Sequence, residues 1–177
     1  HMKKKIVILG SGESGTGAAI LAKLQGYDVF VSDKNLIHEK YKAELNQYEI
    51  DFEECSHDEE KILAADELIK SPGIPDDIPL LQKAKAKSIP VISEIEWAYR
   101  FKGKSKIVAI TGSNGKTTTT SLIYHICMKA GIDAALVGNI GYTVARQVAT
   151  DPKELYTAET SSFHVDGIQD FKTAAAG

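Results

Sequence analysis

Two glycine-rich segments constrain the fold of this chain more than any other feature of its sequence. The first segment, residues 10–15, directly follows an apolar, β-branched run at residues 6–9. The second segment, residues 111–117, directly follows a similar run at residues 107–110. A short apolar run bounded by glycine is typical of a strand that is buried on both faces of a parallel sheet. Because a helical pattern follows each segment, the sequence predicts two strand–loop–helix units.

Strand and helix patterns alternate along the rest of the chain. The predicted strands lie at residues 6–9, 29–31, 50–52, 67–70, 90–92, 107–110, 134–137 and 155–158. The predicted helices lie at residues 14–25, 35–48, 57–65, 78–87, 95–101, 118–130 and 141–149. This alternation indicates βαβ units and therefore an α/β fold with parallel sheets.

The pattern divides the chain into two units. We expect a Rossmann-like parallel-sheet N-terminal domain over residues 1–93, followed by a short helix and a basic linker over residues 94–106. Residues 107–177 are expected to form a P-loop α/β ATPase domain. Since only three strands are predicted there, we expect this domain to be truncated and the chain to be a piece of a longer protein.

The composition excludes several classes of protein. The 177 residues are 43% apolar and carry a net charge of −3, which excludes a predominantly disordered chain. No apolar run approaches the roughly 18 residues of a membrane span, and the near-neutral charge argues against a nucleic-acid binder. The two cysteines, Cys55 and Cys127, form no CxxC motif, which fits a reduced cytoplasmic protein. We therefore expect no membrane or nucleic-acid partner.

The first glycine-rich segment has the pattern GxGxxG, formed by Gly10, Gly12 and Gly15. Such a segment between a strand and a helix allows a tight turn and presents the N–H groups of the helix N-terminus to an anion. Asp33 ends the second strand roughly 20 residues later, where an acidic residue can bind a ribose hydroxyl. The pattern favours a nucleotide site without choosing between NAD and another nucleotide, and a glycine-rich turn without a ligand is the alternative.

The second glycine-rich segment ends in the sequence Gly-Lys-Thr at residues 115–117. In a P-loop the backbone N–H groups surround the phosphates, the lysine reaches the β- and γ-phosphates, and the following hydroxyl coordinates Mg²⁺. Lys116 and Thr117 would have these two roles. Ile110 stands where the general P-loop pattern has its first glycine, so a chance occurrence of Gly-Lys-Thr is the alternative.

Three further motifs follow in a specific order. They are S-P-G-I at residues 71–74, G-N-I-G at residues 138–141 and E-T-S-S-F at residues 159–163. With the two glycine-rich segments, including the shortened second one, they resemble the Mur ligase family from Lys3 to about Phe171. Each motif alone is weak, but their combination is specific. Within the family, the chain is most similar to members that add D-glutamate to UDP-N-acetylmuramoyl-L-alanine.

The resemblance implies a role for each matching residue. It places the UDP part of the substrate against Ser11, Gly12, Glu13, Ser14, Gly15, Asp33, Lys34 and Gly73, and the muramoyl-alanine end against Asn139 and Ser161. It places ATP against Gly112, Ser113, Asn114, Gly115, Lys116, Thr117 and Thr118. Lys116 would be catalytic, and Mg²⁺ would be held by Thr117 and Glu159, since a hard cation prefers oxygen ligands.

The resemblance also implies the reaction and its partners. ATP would phosphorylate the L-alanine carboxylate, and the amine of D-glutamate would displace phosphate from the acyl phosphate. The family's downstream histidine, its modified lysine and its C-terminal domain have no counterpart in these 177 residues, so we expect that they do not catalyse alone. We also expect a monomer. His164 stands where relatives usually have glutamine, a departure that we expect to be tolerated.

Other functions remain open at this stage. An NAD(P)-binding oxidoreductase fused to a P-loop domain would bind nicotinamide, but it leaves the motifs at residues 138–141 and 159–163 unexplained. A nucleotide-sensing or scaffold domain would bind nucleotide without a sugar-peptide ligand. The L-alanine-adding Mur ligase is a third alternative, although its first loop usually has more glycines than residues 10–15.

Overall fold

The structure is a computed structural model that describes residues 2–111, 115–138, 142–159 and 175–176. Its first sheet has the strand order β3-β2-β1-β4-β5, with every neighbouring pair parallel. The strands are β1 (Lys5–Leu9), β2 (Asp28–Ser32), β3 (Asp51–Glu53), β4 (Glu67–Lys70) and β5 (Val91–Ser93). The helices around them are α1 (Glu13–Leu24), α2 (Glu39–Gln47), α3 (Glu59–Leu63), α4 (Pro79–Ala86) and α5 (Glu94–Phe101).

The second sheet has the order β7-β8-β6-β9 and is also parallel. Its elements are β6 (Lys106–Thr111), α6 (Lys116–Lys129), β7 (Ala134–Gly138), α7 (Val144–Thr150), β8 (Leu155–Glu159) and β9 (Ala175–Ala176). The predicted α/β class with parallel sheets is confirmed. β9 was not predicted, because two alanines carry no β-branched signal.

Strand β1 shows why the first sheet has helices on both faces. Side chains alternate between the faces of a strand. Ile6 and Ile8 lie in one apolar cluster with residues of α1, α2 and α5, whereas Val7 and Leu9 lie in another with residues of α3 and α4. Because both faces are apolar, the sequence of β1 is a continuous apolar run and not an alternating one.

Helix α5 packs beside β4 and β5 and contacts both α1 and α7. Trp97 of α5 is fully buried. The centroid of its ring lies 4.7 Å from that of the Phe101 ring and 5.3 Å from that of the Tyr27 ring. The i, i+4 spacing of Trp97 and Phe101 therefore reflects packing within α5. α7 belongs to the second half of the chain but packs on α1 and α5, so it joins the two sheets. The predicted domain bounds themselves stay a prediction.

Several helices begin at positions other than those predicted. α6 begins at Lys116 and not at 118, because Gly115 adopts a φ of +74° that lets the chain enter the helix at once. α2 begins at Glu39 and not at 35, with the His38 ring nitrogen accepting the Lys40 N–H at 3.1 Å. α7 begins at Val144 and not at 141. Within the described residues, no helix combines the length and apolarity needed to cross a lipid bilayer.

Candidate functional site

The first glycine-rich loop connects β1 to α1 and depends on a close backbone approach. Gly10 has a φ of +90°, and a Cβ on Gly15 would lie 1.7 Å from the carbonyl oxygen of Gly10. Only glycine fits such a position. The helix begins at Glu13 without a side-chain cap from Gly12, and the buried Ser14 hydroxyl has no partner among the residues that the structure describes. The loop therefore presents uncapped N–H groups and one unsatisfied hydroxyl, which suits an anion.

Asp33 lies at the carboxyl end of β2, beside this loop. Its carboxylate accepts the Ser11 N–H at 2.8 Å and the Asn35 N–H at 2.9 Å. The carboxylate thus ties the loop after β1 to the loop after β2. The Ser11 hydroxyl is buried and lies 2.9 Å from that of Thr16, which fixes the loop from its other side. Asp33 was singled out by its spacing, but this tie between two loops was not foreseen.

The turn that contains Gly73 follows β4 and lies at the same sheet edge. Lys34 and Gly73 are both exposed there. Lys70, the last residue of β4, donates to the carbonyl oxygen of Ile74 at 2.5 Å and pairs with Asp76 at 3.1 Å, so it holds this turn closed. Sequence reasoning missed Lys70. Its signal was a lysine at the end of an apolar strand, directly before the turn at residues 71–74.

The second candidate site lies at the carboxyl ends of β6, β7 and β8. The Thr117 hydroxyl, in the first turn of α6, donates to the Glu159 carboxylate at 3.0 Å. Glu159 ends β8 and is only 8% exposed. A Cβ on Gly138, which ends β7, would lie 2.3 Å from the carbonyl oxygen of Glu159. The structure therefore brings together the predicted P-loop end, the predicted metal ligand and the start of the G-N-I-G motif.

The predicted ATP and substrate residues are only partly described. Lys116 is half-buried and Thr118 is exposed, both in the first turn of α6 beside Gly115. The remaining predicted positions lie outside the described residues; they are Gly112, Ser113, Asn114, Asn139, Ser161 and His164.

The donors of the second site fit a magnesium ion. Mg²⁺ is usually bound through one or two carboxylates, with waters and substrate phosphates completing its coordination. The Glu159 carboxylate and the Thr117 hydroxyl supply two hard oxygen donors within hydrogen-bond distance of each other. No group of three His, Cys, Asp or Glu side chains converges within the part of the chain that the structure describes. Waters and the phosphates of a nucleotide would complete the coordination of a bound Mg²⁺.

Arg146 of α7 forms an ion cluster with two glutamates of the first sheet's helices. Its Nε donates to Glu13 at 2.6 Å, and its Nη1 pairs with Glu44 of α2. Burial alone would lower the pKa of Arg146, but the bonds to Glu44 and Glu13 hold that pKa above its ordinary value. The partners are 133 and 102 residues distant in sequence, so no local pattern indicated this cluster.

Glu94, the first residue of α5, is a buried carboxyl in the same region. It accepts the N–H of Ala145 in α7 at 2.6 Å. Burial raises its pKa from 4.5 to about 7; the Ala145 N–H opposes this shift and the negative charge of Glu13 adds to it. The contact between the two sheets thus contains an acid that titrates near neutral pH.

Comparisons with known proteins give similar relatives along the whole chain. The family model described as "Mur ligase MurD-like, N-terminal domain" matches residues 4–93, and the model described as "Mur ligase middle domain" matches residues 110–174. The UDP-N-acetylmuramoylalanine–D-glutamate ligase of Bacteroides fragilis is 53% identical over 98% of this chain. That of Porphyromonas gingivalis is 54% identical over 99%. The chain spans 39% of the length of each of these relatives.

Two solved structures share the fold. The UDP-N-acetylmuramate:L-alanyl-gamma-D-glutamyl-meso-diaminopimelate ligase of Neisseria meningitides has a TM-score of 0.61 at 21% identity, covering 92% of this chain and 55% of that chain. The UDP-N-acetylmuramate-alanine ligase of Thermotoga maritima has a TM-score of 0.56 at 22% identity, covering 91% of this chain and 37% of that chain. The two matched family models together account for most of the sequence, and the chain therefore belongs to the Mur ligase family.

Proposed function

We propose that this chain is the substrate- and ATP-binding part of a cytoplasmic, monomeric ligase that adds D-glutamate to UDP-N-acetylmuramoyl-L-alanine in peptidoglycan biosynthesis. The observation that carries the proposal is the identity of 53% or more, over nearly the whole chain, to ligases whose names state this acceptor and this amino acid. The two loops at the carboxyl ends of parallel strands support it, since such loops bind nucleotides in open α/β sheets.

The first loop is the proposed site for the UDP part of the substrate. The N–H groups at residues 12–15 would bind the diphosphate, because the uncapped start of α1 favours negative charge, and Ser11, whose N–H is bonded to Asp33, would lie beside them. Asp33, Lys34 and Gly73 lie on neighbouring loops at the same sheet edge and would surround the uridine. Asn139 and Ser161 would contact the muramoyl-alanine end of the substrate.

The second loop is the proposed site for ATP. Lys116 would hold the β- and γ-phosphates, together with the N–H groups of residues 112–118. Thr117 and Glu159 would hold Mg²⁺, which, when bound, neutralises charge on the phosphates. Most of the catalytic effect in phosphoryl transfer comes from such positioning and electrostatic stabilisation.

The proposed reaction has two steps. A carboxylate oxygen of the substrate's L-alanine attacks the γ-phosphorus of ATP, and ADP leaves as the acyl phosphate forms. The amine of D-glutamate then attacks the acyl carbon. The resulting tetrahedral intermediate loses phosphate, and the nitrogen gives up a proton to leave the amide. D-Glutamate would be bound by the part of the ligase that lies beyond these 177 residues.

Titration calorimetry of this chain tests the first site. We expect UDP-N-acetylmuramoyl-L-alanine and UDP to bind, and NADH not to bind. A Gly15→Ala variant should lose UDP binding, because its methyl group would collide with the Gly10 carbonyl oxygen. Gly26→Ala, just beyond the far end of α1, is the matched control: within the described residues its methyl group meets no atom within 4 Å, and the strain from the φ of +88° at Gly26 lies away from the loop, so this variant should lose stability but keep UDP binding. Binding of NADH alone would refute the ligase and support the oxidoreductase.

A parallel titration with Mg-ATP tests the second site. Lys116→Met should weaken binding at least tenfold, the effect of losing a charged contact worth about 1.4 kcal/mol or more. Lys129→Met is the matched control, because Lys129 lies in the last turn of the same helix. Equal affinities for the two variants would contradict the proposed ATP site.

A further inference from the structure

The ion cluster of Glu13, Glu44 and Arg146 lies beside the proposed UDP site. Glu13 is the first residue of α1 and follows the loop glycine Gly12 directly. Arg146 reaches it from α7, in the other half of the chain, and bonds both of its carboxylate oxygens, at 2.6 Å and 3.3 Å. The Arg146 side chain is only 7% exposed. The first loop therefore contains a carboxylate whose counterion comes from the second sheet's side of the molecule.

A free carboxylate at this position would oppose the binding of a diphosphate. The N-terminus of a helix carries a partial positive charge, and an acidic side chain in the first turn interacts with that charge. A diphosphate bound at the start of α1 would use the same charge. Without Arg146, the Glu13 carboxylate would compete with the ligand and repel it. With Arg146, which Glu44 shares, the charge of Glu13 is partly offset and its oxygens are directed toward α7.

Packing keeps Arg146 in this orientation. A Cβ on Gly17, one turn along α1, would lie 3.0 Å from both Cβ and the backbone nitrogen of Arg146, so the two helices are in close contact. Glu44 bonds the same guanidinium, including Nη2 at 3.2 Å. The backbone next to Arg146 is held as well, because Glu94 accepts the Ala145 N–H. The guanidinium is thus fixed on Glu13 rather than free to move into solvent.

We propose, on the basis of the proposed function, that Arg146 is a positioning residue for the UDP site. It acts through Glu13: by pairing with that carboxylate, it leaves the start of α1 available to the diphosphate of the substrate. The affinity of the first loop for its ligand thus depends on a residue of α7, which directly follows the proposed substrate loop at residues 138–141. Arg146 itself does not touch the ligand.

Charge-removal variants of this chain, titrated with UDP at low ionic strength, test the proposal. Arg146→Gln should raise the Kd for UDP on the order of five- to tenfold, and the effect should shrink in 0.5 M salt because the repulsion is screened. Adding Glu13→Gln to that variant should restore the Kd to within about twofold of the unchanged chain, since the repelling charge is gone. Glu44→Gln is the matched control, because it removes an equal charge from the same cluster but lies on α2 and not at the start of α1. The double variant Glu44→Gln, Arg146→Gln should therefore bind UDP as weakly as Arg146→Gln alone.

The double variant separates an electrostatic role from a structural one. If Arg146 only held the two sheets together, Glu13→Gln would not restore binding, and this result would overturn the proposal. Glu13→Gln alone keeps the backbone N–H that would face the diphosphate and removes only the side-chain charge. A higher Kd for UDP in this variant would mean that the carboxylate contacts the ligand and would also overturn the proposal. Arg146→Lys covers the case in which Arg146→Gln does not fold. Its Kd should stay within about threefold, because the ammonium still offsets the charge of Glu13 although it loses the two-pronged bond of the guanidinium. No UDP binding by the unchanged chain would instead refute the proposed function, and this inference with it.

Discussion

At the scale of single residues, the Asp33 carboxylate organises the first loop. It accepts hydrogen bonds from the N–H groups of Ser11 and Asn35, which belong to different loops. In Asp33→Asn one of these N–H groups would face an amide NH₂ instead of an oxygen. Losing such a bond to a charged acceptor costs on the order of 1–3 kcal/mol. We expect the free energy of unfolding, measured by urea denaturation, to fall by that amount.

Asp28→Asn is the matched control for this prediction. Asp28 is an exposed residue at the start of β2, so its variant should change stability by less than about 0.5 kcal/mol. Equal effects of the two substitutions would contradict the role of Asp33 as a tie between the loops.

The residues of the site differ in how far the sequence could predict them. Asp33, Thr117 and Glu159 were found because each follows a strand or a glycine loop at a fixed spacing. The structure places Thr117 and Glu159 in contact, although 42 residues separate them. Lys70 and Arg146 were missed because their roles depend on tertiary partners, and a single lysine or arginine in a sequence gives no indication of its partner.

At the scale of secondary structure, Gly17 sets how closely α1 and α7 pack. Replacing glycine by alanine inside a helix normally gains about 1 kcal/mol. Here the new methyl group would lie 2.7 Å from the Thr143 hydroxyl oxygen and 3.0 Å from Arg146. Overpacking of this kind costs about 1–3 kcal/mol, so we expect Gly17→Ala to destabilise the chain in thermal or urea unfolding.

Gly73→Ala is a suitable comparison for that variant. Within the described residues, a methyl group on Gly73 would meet no atom within 4 Å, so the free energy of unfolding of Gly73→Ala should stay within about 0.5 kcal/mol of that of the unchanged chain. A stabilised Gly17→Ala variant would show that α7 does not pack on α1 as described.

The existence of the elements was more predictable than their ends. Fifteen elements were expected and are present, because strands such as β1 and β2 contain short apolar runs and helices such as α1 have a periodic apolar pattern. The starts of α2, α6 and α7 were wrong by two to four residues. Helix ends depend on local backbone geometry and capping, such as the positive φ of Gly115, which hydrophobic periodicity does not encode.

At the scale of the whole molecule, Glu94 makes stability depend on pH. Its pKa is about 7 in the fold against an ordinary value of 4.5, so the folded chain binds this proton more tightly than the unfolded chain. Its contribution to stability is fully present below about pH 4.5 and is lost as the pH rises to about 7 and above. The loss should be about 3 kcal/mol.

Glu94→Gln isolates this contribution, because the amide mimics the neutral acid at every pH. We expect its free energy of unfolding, measured by urea denaturation, to exceed that of the unchanged chain by an amount that grows from about pH 5 to about pH 8. Glu60→Gln, an exposed position of α3, should follow the unchanged chain. A constant difference between Glu94→Gln and the unchanged chain would contradict the assignment.

The position of α7 in the chain also has a consequence for biosynthesis. The bonds that it makes to Glu94 and Glu13 span 51 and 133 residues. On the ribosome, α1 and α5 are complete long before α7 emerges, and the surface that they share with it stays uncovered in the meantime. Uncovered apolar surface is what chaperones bind and what drives aggregation of nascent chains. The time needed to translate the residues between α5 and α7 therefore sets how long this apolar surface of the first sheet stays exposed to chaperones and to aggregation.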